Sequence, residues 1–163
     1  MNSEGRLVGA GATLVLYKEK GKTDAEEFIV EPLSDVDISE LDEWVRARIV
    51  KTARDSLDST LSPAERIETL EVAMRLAQGE SMLSAQGARI LGTVDGMARL
   101  MWQTIRHRHP NLELETLRGY MFDPRNVEAA TVLFRELNSE WTEQLKNRKA
   151  PTTRGKKNRR PRR

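Results

Sequence analysis

Ile90, Val94, Met97, Met101 and Ile105 recur at intervals of three and four, with Leu91, Ala98 and Trp102 beside them. On a helix these residues form one broad apolar face. No other stretch of the chain carries so wide a stripe. A helix over about residues 84–105 is therefore expected at the centre of the fold, with other elements packed on to it.

Four further helices are read around it. Ile38, Leu41, Val45 and Ile49 mark an amphipathic helix that starts at a Ser34 or Asp35 cap and runs to about Leu57. Its acids precede its bases, the order the helix dipole favours. Ser62, Pro63 and Glu65 form the clearest start signal in the chain. A serine N-cap, a proline at N1 and a glutamate at N3 together make a capping box. The stripe that follows is Ile67, Leu70, Met74 and Ala77, and Gly79 offers an end. Pro110 closes the central helix after Arg106-His107-Arg108-His109. A short helix follows through Leu114, Leu117 and Met121, and a last one starts at Asp123-Pro124 with Val127, Ala130, Phe134, Leu137 and Trp141 in one narrow seam.

Strand character is confined to residues 13–17 and 27–31, where Leu14 and Leu16, then Phe28 and Val30, alternate with other residues about a Lys, Gly and Asp loop. They predict one hairpin, and a lone hairpin needs helices to pack on. The expected fold is mainly α, with about five helices and an N-terminal β-hairpin docked on them. Residues 1–11 read as a flexible N-terminus, 12–145 as a single domain and 146–163 as a disordered basic tail.

The formal net charge of +2 hides an asymmetry. Lys146, Arg148, Lys149, Arg154, Lys156, Lys157, Arg159, Arg160, Arg162 and Arg163 place ten cations in the last 18 residues, which hold no acid. Residues 1–145 keep 17 basic residues against 25 acids, about −8 by formal counting. Such a tail neutralises phosphates and releases counterions, so polyanion binding is one expected role for those ten residues. No aromatic residue interrupts them, which argues against base stacking. No apolar run long enough for a membrane span is present, and the first residues lack the apolar core of a signal peptide. The absence of cysteine removes disulfides, thiolate metal sites and cysteine nucleophiles, and suits a reducing compartment.

Catalytic patterns are hard to find. His107 and His109 are the only histidines, and at i, i+2 on a helix they point about 200° apart, so one face cannot present both to a metal. They read as cations at a solvated helix end. Gly9-Ala10-Gly11 precedes a strand and lacks the Gly-Lys-Ser/Thr ending of a phosphate loop. Ser56, Ser59 and Ser62 have no neighbouring base and no Gly-x-Ser-x-Gly setting. Trp44, Trp102 and Trp141 fall one to each long helix and read as edge-of-core residues, with Trp141 also a candidate anchor for a partner. A non-enzymatic binding protein without cofactor or metal is expected, with Val127, Ala130, Phe134, Leu137 and Trp141 as its partner-binding seam.

Two stretches carry a resemblance. Glu27-Phe28-Ile29-Val30-Glu31-Pro32-Leu33-Ser34-Asp35 leads into the acidic helix Val36 to Val45, and His109-Pro110-Asn111-Leu112-Glu113-Leu114-Glu115-Thr116-Leu117 precedes Asn126-Val127-Glu128 and the last helix. This layout, over roughly residues 12–145, resembles the tail assembly chaperones of long-tailed bacteriophages. The resemblance implies a non-catalytic factor in the host cytoplasm that holds helical stretches of a tape measure protein, or another tail protein, while tail tube subunits gather. Met74, Met97 and Met101 would give such a protein adaptable surfaces. The other reading is a virion structural or nucleic-acid-associated protein acting through its tail. A homo-oligomer is a further expectation, and a membrane partner is not.

Overall fold

The computed structural model describes residues 11–139. Trp141 and all ten tail cations lie outside the described residues, as do the first ten positions. Two strands and six helices make up the described chain: β1 Ala12–Tyr17, β2 Ala25–Val30, α1 Asp35–Asp55, α2 Pro63–Gln78, α3 Ala85–Leu91, α4 Val94–Ile105, α5 Leu114–Tyr120 and α6 Pro124–Leu137. The architecture is mainly helical with one N-terminal hairpin. Among the described residues no helix is long and apolar enough to cross a membrane.

The hairpin is antiparallel, with Leu14 opposite Phe28 and Ala12 opposite Val30. Alternation sends Leu14, Leu16, Phe28 and Val30 inward, where all four are buried. They meet Leu41 and Val45 from α1, Met101 and Ile105 from α4, Leu117 from α5, Met121 and Ala130 in one core. Gly21, in the connecting loop, has φ of +79°, a conformation glycine adopts without cost. Two outward N–H groups of the strands, and that of Glu31 just past β2, are held by the helical layer. Tyr17 donates to Asn126 Oδ1 at 2.8 Å, Ile29 to His109 Nε2 at 2.9 Å and Glu31 to the Thr104 carbonyl at 2.9 Å.

Helix starts follow local chemistry. Ser34 and Asp37 form a capping box on α1, Ser62 and Glu65 another on α2, and the Asp123 side chain accepts from the Arg125 N–H to cap α6. The stripe of α1 faces the core as expected, Leu41 and Val45 fully buried and Ile38 and Ile49 packed against it.

Three expectations change. The long central helix is two helices, because the Gly92 N–H closes α3 on Ala88 and the Thr93 hydroxyl accepts from Gly96 to start α4. Glycine is needed at the second helix start: a Cβ on Gly96 would lie 2.1 Å from the Ile90 carbonyl oxygen. The helix ends at Ile105, the expected residue, and what changes is the segment before Pro110, where Arg106, His107 and His109 are drawn into contacts with α1 and β2. Finally, α2 is rotated about its axis relative to its expected stripe. Ala77 of that stripe is buried and Leu70 half-buried, but Ala73 takes the inward place beside them, whereas Ile67 and Met74 are 59% and 55% exposed. Small residues let α2 approach α1, the element it chiefly packs on, and one neighbour cannot cover a wide stripe.

Candidate functional site

An apolar groove where α4 begins beside the start of α6 is a candidate for partner binding. Its volume is about 460 Å³, and Val94, Met97, Met121, Phe122 and Val127 supply its apolar lining. The break at Gly92 and Thr93 creates one end of it, because an unbroken helix would have carried the chain straight past. Phe122 is 60% exposed, an unusual position for a large aromatic side chain in a small domain. Its place is set by the helix that follows: with Asp123 as N-cap, Phe122 at N′ and Val127 at N4 hold the positions of a hydrophobic staple. The Arg118 guanidinium lies 5.9 Å from its ring centroid. Met97, half-buried in the lining, can adjust to different apolar side chains, while Met121 beneath it belongs to the core.

The proposed seam on the last helix is divided. Val127 lines this groove. Ala130 is fully buried, and Phe134 and Leu137 are partly buried against the core, so these three face the protein's own interior. Met97 lines the groove, Met101 is fully buried and Met74 lies on the exposed side of α2. Phe122 has no periodic stripe to mark it. The signal that finds it is the staple spacing ahead of Asp123-Pro124.

Compared with protein-family models, curated proteins and solved structures, the chain matches none of them.

A second polar constellation joins α1 to the end of α4. Asp37, only 1% exposed, receives Arg106 Nη2 at 2.9 Å, the Ser34 hydroxyl at 2.6 Å and the Ser34 N–H at 3.0 Å, with His107 Nε2 at 3.1 Å. Burial pushes the Asp37 carboxyl up, but the Ser34 hydrogen bonds, then His107 and Arg106, outweigh it and hold the group below the ordinary aspartate value. Arg106 also meets Glu40 at 2.9 Å and lies over Trp102, 4.9 Å from the ring centroid. The Gln103 amide and Arg106 together lower the Glu40 carboxyl. Both carboxylates are thus ionised at neutral pH, a state suited to clasping helices and unsuited to donating protons.

His109 lines a separate polar cleft with Glu26, Arg108 and Glu113. Its Nε2 accepts from the Ile29 N–H, and its ring meets Phe28 edge-on with centroids 5.4 Å apart. Both histidines therefore brace the fold instead of standing free at a helix end. The neighbouring Tyr120 hydroxyl donates to Glu26 at 2.8 Å, and burial, then that carboxylate, raises its pKa to about 12. Among the described residues no three His, Cys, Asp or Glu side chains lie close enough to hold a metal ion.

Proposed function

We propose that this chain is a non-catalytic morphogenesis factor of a long-tailed bacteriophage, a tail assembly chaperone that holds helical segments of a tape measure protein in the host cytoplasm. The observation that carries this reading is the groove beside Phe122, open to water and mostly apolar, with Thr93 and Glu128 as its polar lining. An amphipathic helix lays one apolar face into such a groove. The two segments resembling tail assembly chaperones supply the biological setting. Co-expression should raise the soluble yield of the tape measure protein. A Met97→Asp and Phe122→Asp double variant that keeps its fold should lose that effect, and equal performance would remove the groove from the proposal.

A second reading rests on the ten cations from Lys146 to Arg163. A virion or nucleic-acid-associated role predicts duplex binding whose log affinity falls linearly with log salt and which disappears on deletion after Leu145. Binding that survives the deletion would exclude the tail as its source.

A further inference from the structure

Independently of that groove, we propose that the outer face of the α1 and α2 pair is a homodimer interface, in which α2 of one copy lies in the groove between α1 and α2 of the other. The groove has a volume of about 610 Å³, with Ala47, Val50, Met74 and Ala77 as its apolar lining. Arg46, Lys51 and Arg54 line it from the α1 side, outnumbering Asp55, which pairs with Lys51. A ligand matching this site is a helix with an apolar stripe and carboxylates beside it.

The chain carries that ligand on the same face. Ile67 and Met74 are seven residues apart, two turns of α2, and both are exposed. Glu71 is placed between them on the same side of the helix, with Glu68 next to it. Arg54, Glu68 and Glu71 are all exposed and have no ion-pair partner among the described residues. The surface is therefore self-complementary, basic and grooved on α1, acidic and ridged on α2. A two-fold axis presents each half to the other's complement, the requirement for a closed isologous dimer. Pairing also covers Ile67 and Met74, which the isolated chain leaves in water because α2 has essentially one neighbour.

Sedimentation equilibrium on the full chain tests this. In the micromolar range the expected mass is twice the 18.6 kDa of one chain. Reversing the basic wall with Lys51→Glu and Arg54→Glu, or the acidic flank with Glu68→Lys and Glu71→Lys, should each raise the dissociation constant at least about tenfold. An equal mixture of the two variants should dimerise again, because each then meets the other's complement. Circular dichroism on each variant checks that helicity is kept, and Met74→Glu, which leaves these charges intact, should also give monomer. A monomeric wild type, reversed variants that remain dimeric, or folded variants that fail to dimerise on mixing would each overturn the proposal.

Discussion

Replacing Arg106 by methionine removes the cation that joins Asp37 and Glu40 while keeping much of the aliphatic stem. Breaking a buried ion pair from one side costs about 3–5 kcal/mol, because the remaining charge is stranded. Asp37 is not wholly stranded here, since the Ser34 hydroxyl and N–H and His107 still contact it. The expected loss is therefore about 2–3 kcal/mol, toward or below the bottom of that range. For a domain of this size that corresponds to a fall in Tm of roughly 6–10 °C. Urea denaturation of wild type, Arg106→Met, Asp37→Asn and the double variant closes a cycle whose coupling should be about 1–2 kcal/mol. The sign with pH follows from the lowered Asp37 carboxyl: its contribution is complete above the unfolded aspartate value and is lost as pH falls through the folded one. Acidification should accordingly destabilise wild type more than Asp37→Asn. A loss below about 1 kcal/mol with negligible coupling, or identical acid limbs, would refute the clasp as argued.

Gly96→Ala should destabilise the chain by about 2 kcal/mol or more in the same denaturation assay, since the gain in helix propensity of about 1 kcal/mol cannot offset a Cβ held against the Ile90 carbonyl. Asn126→Ala should cost about 2–4 kcal/mol and accelerate amide exchange at Tyr17, because the buried amide bonds Tyr17 N–H, Tyr17 O and Tyr120 O together. Phe122→Asp alone should change stability by less than about 0.5 kcal/mol, as the side chain is exposed, while weakening the soluble-yield effect on a helical partner.

Features that depend on neighbours within a few residues were legible. Ser34 and Ser62 act as caps because their side chains reach backbone N–H groups three residues on, a geometry any such spacing offers. The inward set of the hairpin was legible for the same reason, strand alternation being fixed by the backbone. The rotation of α2 was not, because Ile67 and Met74 continue the stripe of Leu70 and Ala77 as well as Ala73 does, and only the close approach of α1 chooses between them. The break at Gly92 and Thr93 is a contest between two local solutions, a continuous apolar stripe and a paired cap, settled by what packs around Gly96. Asp37 and Arg106 are 69 residues apart, so nothing local connects them. For the groove, Val127 and Met97 were among the residues singled out, but the seam reading carried Phe134 and Leu137 outward when they pack in.

A two-stranded sheet is nothing but edges, and an unclaimed edge is an invitation to a strand from another molecule. Here Asn126 and His109 occupy hydrogen-bonding positions on opposite edges, and the Thr104 carbonyl takes a second one beside β2. An incoming strand would have to displace groups anchored on the helical layer before it could pair. Strand addition is thereby hindered at these positions of the hairpin. Growth from one molecule to the next is favoured at helix surfaces, whose side chains can discriminate between partners in a way that backbone pairing cannot.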